Sequence, residues 1–341
     1  MTTTPGAGTS GATVDLAAGE ADFERLANPF RRELLAHCYR MLGSVHDAED
    51  LVQETYLRAW RAYGRFEGRS SLRTWLHRIA TRVCLTALES RGKRPLPTGL
   101  GQPSSDPTAE LAQQPEVPWL EPIPDTMVDM DRADPAAIVG TRESIRLALM
   151  AALQLLSPRQ RAVLILREVL NWRAAEVADT LGTTTTAVNS SLQRARAQLE
   201  KVAPSEDSVV EPTSSEQREL LGRYVAAFES YDIPAIVRLF TDESVWEMPP
   251  FTGWFQGAEE IGRLIANNCP AKRSGDMRLL RTDANGQPAF AVYMRDPEDG
   301  LHRAFGLQVL TVNGGEIPHV VMFFDTSLFA AFGLPEVLDS R

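Results

Sequence analysis

Eight prolines, Pro95, Pro97, Pro103, Pro107, Pro115, Pro118, Pro122 and Pro124, fall between Arg94 and Asp134. Each lacks a backbone N–H and clashes with the preceding helical turn, so no regular helix can cross this interval. A chain of 341 residues already calls for two or three domains, and the prolines mark one place where it divides. Inside the interval, Pro118-Trp119-Leu120-Glu121-Pro122-Ile123-Pro124-Asp125 is unusually apolar for a linker. It docks either on a partner surface or in a crevice of its own chain.

Before the prolines the pattern is helical. Leu34, Leu35, Cys38, Met41 and Leu42 recur at helical spacing up to Gly43, which suits a left-handed cap. Ser44 or Asp47 then caps a second helix with Ala48, Leu51, Val52, Thr55, Tyr56, Ala59 and Trp60 on one face. A third starts at Ser70 or Ser71, with Leu72, Trp75, Leu76, Ile79, Ala80, Val83 and Leu88 inward. After the prolines a second helical block begins near Pro135. Ser157 and Pro158 open one helix, Ala174 to Gly182 gives a short helix ending at a turn glycine, and Thr184 starts a longer one with Val188, Leu192, Ala195 and Leu199 inward. This is the helix-turn-helix pattern, in which the second helix enters the DNA major groove.

Beyond a Pro/Ser/Glu-rich joint at 204–216 helices give way to strands: Ser244 to Met248, Arg278 to Thr282, Ala289 to Arg295, Arg303 to Val312 and Pro318 to Phe324, with Asn313-Gly314-Gly315 as a turn. Helices followed by antiparallel strands imply an α+β domain. The expected architecture is therefore multidomain: a disordered start at 1–19, an all-α module at 20–95, a Pro-rich acidic linker at 96–140, an all-α helix-turn-helix module at 141–203 and an α+β domain at 204–341.

The net charge of −10 argues against a nucleic-acid partner only until its distribution is read. Residues 20–94 hold 14 Lys/Arg against 10 Asp/Glu, and 141–203 hold 9 against 5. The acid lies in 95–140, with 1 base against 8 acids, and in 204–341, with 11 against 21. Cys38, Cys84 and Cys269 show no metal-ligand spacing and read as free thiols of a reducing compartment. No basic-then-apolar leader and no bilayer-length apolar run appear, so a cytoplasmic protein with no membrane partner is expected.

The run Asp47-Ala48-Glu49-Asp50-Leu51-Val52-Gln53-Glu54-Thr55 resembles the segment with which bacterial RNA polymerase sigma factors of the extracytoplasmic-function (ECF) type dock on the coiled-coil of the polymerase largest subunits. The resemblance implies Asp50, Leu51, Val52, Gln53 and Glu54 as core-polymerase contacts. The loop and helix from Tyr63 to Leu76 are similar to the part that captures the unpaired −10 element. Stacking and phosphate charge hold melted DNA, and Arg65, Phe66, Arg69, Arg73, His77, Arg78 and Arg82 supply them. Trp75 falls on the apolar stripe and reads as core, which leaves Phe66 as the better stacking residue.

The helix-turn-helix is similar to the sigma module that reads the −35 element. It implies Thr185, Thr186, Asn189, Ser190 and Gln193 at base edges and Arg194 and Arg196 on phosphates. It departs from the usual pattern at Asn189 and Ser191, where Lys and Arg tend to stand. The tail resembles the SnoaL-like group of the cone-shaped fold shared with nuclear transport factor two. Enzymes of that fold use a pocket acid or base, for which Glu247, His319 and Asp325 are the candidates. ECF sigma factors with such a tail form a subgroup, and Trp119-Leu120-Glu121-Pro122 is similar to its linkers. The resemblance thus implies an initiation factor that binds core polymerase and promoter DNA, performs no chemistry, needs no cofactor or metal, and is tuned by its tail, where a small-molecule ligand is an open question. A ligand-sensing helix-turn-helix regulator and a SnoaL-class enzyme with a DNA-binding appendage are the alternatives.

Overall fold

Helix α1 (Arg31–Leu42) ends where Gly43 turns left-handed at φ 73°, and this glycine is where three parts of the chain meet. The structure is a computed structural model that describes residues 22–128, 144–201 and 214–338. The expected disordered start, the end of the linker and most of the joint at 204–216 lie outside the described residues. Ser44 caps α2 (Val45–Tyr63) by accepting from the Asp47 N–H at 3.1 Å. Ser71 caps α3 (Leu72–Leu88) in the same way through Thr74. The three helices bury the apolar stripes expected of them, and Cys38 and Cys84 are free thiols within that core.

The second helical module contains α4 (Leu147–Gln154), α5 (Pro158–Leu164), α6 (Ala174–Leu181) and α7 (Thr185–Leu199). Ser157 and Gln160 form a reciprocal capping box around Pro158. Gly182 supplies the left-handed turn between α6 and α7 at φ 60°. The two modules share one core. Arg161, 2% exposed, donates to the carbonyls of Leu153 and Leu156 and to that of Met41 in the last turn of α1. A cation at a helix C-terminus meets the negative end of its dipole. Burial nevertheless lowers the Arg161 pKa to about 10.

The C-terminal domain opens with α8 (Ser214–Glu229) and α9 (Ile233–Val237), followed by β1 (Val245–Glu247), β2 (Trp254–Gln256), α10 (Ala258–Asn268), β3 (Met277–Ala284), β4 (Gln287–Arg295), β5 (His302–Asn313) and β6 (Glu316–Phe323). A short α11 (Leu328–Ala331) and β7 (Val337–Leu338), paired to the start of β5, complete it. Strand order is β2-β1-β6-β5-β4-β3, antiparallel except for β1 beside β6. The five expected strands are present, and β2 and β7 are additional.

Both faces of this sheet are covered. Phe290, Val292, Leu310, Val320 and Met322 point into the cone with Tyr224, Phe228 and Trp246. Ala289, Ala291, Tyr293, Leu307, Val309, Val321 and Phe323 point the other way, into the core shared with the helical modules. Strands buried on both sides read as continuous apolar runs, as Pro288 to Met294 does.

The proline interval is an ordered strap. Ser105 N–H donates to the Trp254 carbonyl at 2.7 Å, Gln114 to Pro250 at 2.9 Å, and the Trp254 indole to Gln102 at 2.9 Å, so the strap lines the β2 edge of the sheet. It then crosses to the first module, where Leu120 N–H donates to Pro95 and Glu121 N–H to Gly43. Leu120 and Ile123 are fully buried. Of the two destinations open to the Trp119 stretch, it occupies the crevice in its own chain.

Candidate polymerase and nucleic-acid interfaces

Helix α2 is amphipathic because Val45, Ala48, Val52, Thr55 and Ala59 repeat every three or four residues and are buried. Asp50 and Gln53 are exposed on the far side, while Leu51 and Glu54 are partly covered. Val52 is fully buried, which corrects its expected role: it anchors the helix and cannot touch a partner. Leu57, 50% exposed, shares the polar face with Asp50, Gln53 and Glu54 and was missed in the sequence because it stands alone among polar residues. Glu54 pairs with Arg58 one turn on at 2.6 Å.

The expected single-strand strip divides into three. Arg65 and Arg69 are exposed, and Phe66 packs its ring against Trp75 with centroids 4.8 Å apart. Arg73 is committed to a two-pronged contact with Glu33. His77 is 1% exposed, its Nδ1–H donating to the Arg73 carbonyl at 2.9 Å, so it is a core residue and not a DNA contact. Burial pushes its pKa down, with Glu33 pulling the other way. Arg78 and Arg82 are held by the helix-turn-helix: Arg78 pairs with Asp179 at 3.0 Å and Arg82 Nε donates to the Thr180 carbonyl at 3.3 Å. Helix α6, the first of the helix-turn-helix pair, therefore lies over the distal part of the expected single-strand strip.

On α7, Thr184 caps the helix through the Ala187 N–H, while Val188, Leu192 and Ala195 fix it to the module. Thr185, Thr186, Asn189, Ser190, Gln193 and Arg194 are all exposed. Arg196 is exposed as well but pairs with Glu168 at 2.6 Å, so its charge is already engaged by a carboxylate.

The cone encloses a cavity of about 770 Å³. Glu247 and His319 do not line it. They bond to each other at 2.7 Å on the opposite face of the sheet, where Glu247 Oε2 also accepts the Thr98 N–H of the strap at 2.8 Å. The alternation of β1 explains this: Trp246 and Met248 face the cavity, which turns Glu247 outward. Asp325 stands at the cavity's edge, accepting from the N–H and hydroxyl of Ser327. Two of the three candidates for acid–base work are thus bonded to each other, and one of them fastens the strap.

A junction that the sequence reading overlooked joins all parts. Asn285, at the tip of the β3–β4 hairpin, is fully buried between the two helical modules. Its Oδ1 accepts from Ile123 N–H at 2.9 Å and its Nδ2 donates to the Tyr39 hydroxyl and the Ile145 carbonyl. Gln287 Oε1 accepts from Leu147 N–H at 2.9 Å. Among the described residues no cluster suited to a metal ion occurs, and no helix is long and apolar enough to cross a membrane.

Comparison with known proteins agrees with this division. Residues 26–94 match Sigma-70 region 2, residues 146–199 match Sigma-70 region 4, and residues 221–320 match the SnoaL-like domain. The ECF RNA polymerase sigma factor SigG of Mycobacterium tuberculosis is 63% identical over 318 residues, covering 93% of this chain and 85% of that protein. SigJ of the same species is 30% identical over 255 residues, 72% of this chain and 71% of SigJ. The crystal structure of SigJ covers 92% of this chain and 99% of that one with a TM-score of 0.59 at 24% identity, a likeness of fold. With helical regions 2 and 4 in order, a SnoaL-like cone behind them and SigG similar along almost the whole length, the chain belongs to the ECF RNA polymerase sigma factors.

Proposed function

We propose that this sigma factor docks on core polymerase in the cytoplasm through the exposed face of α2, with Asp50, Gln53 and Glu54 making polar contacts and Leu57 an apolar one. Arg65, Phe66 and Arg69 capture the unpaired −10 strand, joined by Arg78 and Arg82 once the helix-turn-helix has moved away. Thr185, Thr186, Asn189, Ser190 and Gln193 read the −35 bases, with Arg194 and Arg196 on phosphates. The C-terminal cone holds the modules in this packed arrangement and so tunes initiation.

The observation that carries the reading is the Arg78–Asp179 pair beside the Arg82–Thr180 bond. Helix α6 covers part of the proposed strand-capture surface while the proposed base-reading face of α7 stays exposed, and a factor built this way must open before it engages a promoter. In vitro transcription with purified core enzyme tests it. Asp50→Lys with Gln53→Ala weakens core binding while the circular dichroism of the chain is unchanged. Unaltered core affinity removes the docking face, and failure of the wild type to direct any start site removes the whole reading.

A further inference from the structure

The cavity in the cone has two walls of different origin. One is the concave side of the sheet and its helices, including Trp246, Met248, Val292 and Met322; the other is the strap, through Val117, Pro118, Trp119 and Leu120. At about 770 Å³ it has the volume of a pocket for a drug-sized molecule.

Its chemistry is specific. Gln308 is 3% exposed and lies in register between Phe290 on one neighbouring strand and Met322 on the other. Its Oε1 accepts from the Tyr224 hydroxyl at 3.0 Å, and Nε2 has no hydrogen-bond partner among the described residues. Trp246, which also lines the cavity, has its indole Nε1 buried without a partner. A buried donor left without a partner, as in the Trp246 indole, is costly, and native interiors rarely tolerate it without a reason. Both spare groups are donors. The charged residues that reach the cavity are already engaged: Arg94 with Asp47 and Glu121, and Asp325 in its turn with Ser327. The complement is an uncharged, mainly apolar molecule with a carbonyl-type acceptor oxygen.

The strap carries occupancy elsewhere. Trp119 lines the cavity, and the two residues after it border both the cavity and the first module: Leu120 is fully buried against Gly43, where an added Cβ would come within 2.9 Å of its Cδ1. Glu121 accepts from the Ser44 hydroxyl at 2.7 Å and bonds the His46 ring at 3.0 Å, both in the first turn of α2. We propose that the cone cavity binds an uncharged, largely apolar ligand bearing a carbonyl acceptor, held by Gln308, and that its occupancy is transmitted by Trp119–Glu121 to the start of α2. The binding step stands apart from the polymerase reading; only its effect on initiation rests on that reading.

The test uses the full chain without polymerase, so its failure is distinguishable from failure of the sigma-factor assignment. The probe is prodan, an uncharged naphthyl ketone whose emission shifts blue in apolar surroundings. Its analogue without the ketone, 2-dimethylaminonaphthalene, is the control. Saturable one-to-one binding is expected, about tenfold weaker in Gln308→Met for prodan and nearly unchanged for the control. The cavity-filling Met248→Trp weakens both, with thermal melting showing that each variant is folded. Saturating prodan slows amide exchange at 117–121 and at 44–47. Absence of saturable binding, or binding indifferent to both substitutions, overturns the site. Binding with unchanged exchange at 44–47 overturns the transmission.

Discussion

The side-chain amide of Asn285 donates to the hydroxyl of Tyr39 at 2.7 Å, across 246 positions of sequence. The same hydroxyl donates to the Glu121 carbonyl at 2.7 Å. Hairpin tip, first helix and strap therefore share one hydrogen-bond chain, sealed from water so that each unmet group carries its full desolvation cost.

Asn285→Gly tests that chain. Glycine keeps the left-handed conformation, φ 58° here, and deletes only the side chain. It leaves the Ile123 N–H, the Ile145 carbonyl and the Tyr39 hydroxyl each short of a partner, so stability should fall by about 2–4 kcal/mol in urea titration. A loss below about 0.5 kcal/mol would mean that the junction is not maintained in solution.

Stability should also fall on mild acidification. His37 Nε2 donates to Thr81 Oγ1, whose own proton goes to the His77 carbonyl, and His37 Nδ1 is buried without a partner. Burial drives the His37 pKa well below 6.5, with His77 and Arg40 pushing the same way. In His77 burial outweighs the opposing pulls of Glu33 and of the hydrogen bond to the Arg73 carbonyl, while the charges of Arg73 and Arg40 add to the lowering. Both rings are thus neutral when folded, and the unfolded chain takes up protons first. The stability they preserve is complete above pH about 6.5 and is lost as pH drops through and below that value, about 1–2.5 kcal/mol by pH 5.5. Denaturation curves at pH 7.5 and 5.5 check this, and His37→Gln should flatten the difference; equal curves for the wild type refute it.

Separating the modules should uncover cations. Asp179 is 68% exposed and Arg78 28%, so the pair itself contributes little to stability. Asp179→Arg places like charges face to face and should raise affinity for single-stranded DNA several-fold at low salt, with less than about 1 kcal/mol lost in folding. Fluorescence anisotropy with a labelled oligonucleotide measures it. No gain would show that Arg78 is not part of the strand-capture surface.

On the recognition helix, Arg194 and Gln193 should behave differently. Arg194→Ala should weaken duplex binding about equally for all sequences and reduce the salt slope of the binding constant by about one. Gln193→Ala should leave the slope alone and relax base preference. Identical salt slopes for the two variants would contradict the assignment of Arg194 to phosphate.

Local signals made the helices legible. Gly43 and Gly182 as left-handed stops, and Ser44, Ser71, Ser157 and Thr184 as caps, are each decided by a few neighbouring residues. What escaped was non-local. The prolines marked a break in helix correctly, but nothing near Thr98 or Glu121 tells that a partner lies on β1 or at the start of α2. His77 was placed on a surface because it stands in a basic interval, and Val52 from family position, although Val52 already belonged to the apolar stripe of its helix. Glu247 could have been read better, since the residues on either side are apolar and strand alternation turns it away from them. Asn285-Gly286 was a visible hairpin signal, with both residues at positive φ in the structure; its burial between two other modules was not visible.

The alanine-lined side of β4 sets a limit on modularity. Ala289, Ala291 and the neighbouring Val309 and Val321 form a smooth plate against the helical modules, and a plate of that kind without its cover is an adhesive surface. Chimeras that trade this cone for one from a relative will stay soluble only when the incoming sheet presents a matching smooth back, so the rear of the sheet, more than the pocket at its front, decides which tails such a factor can accept.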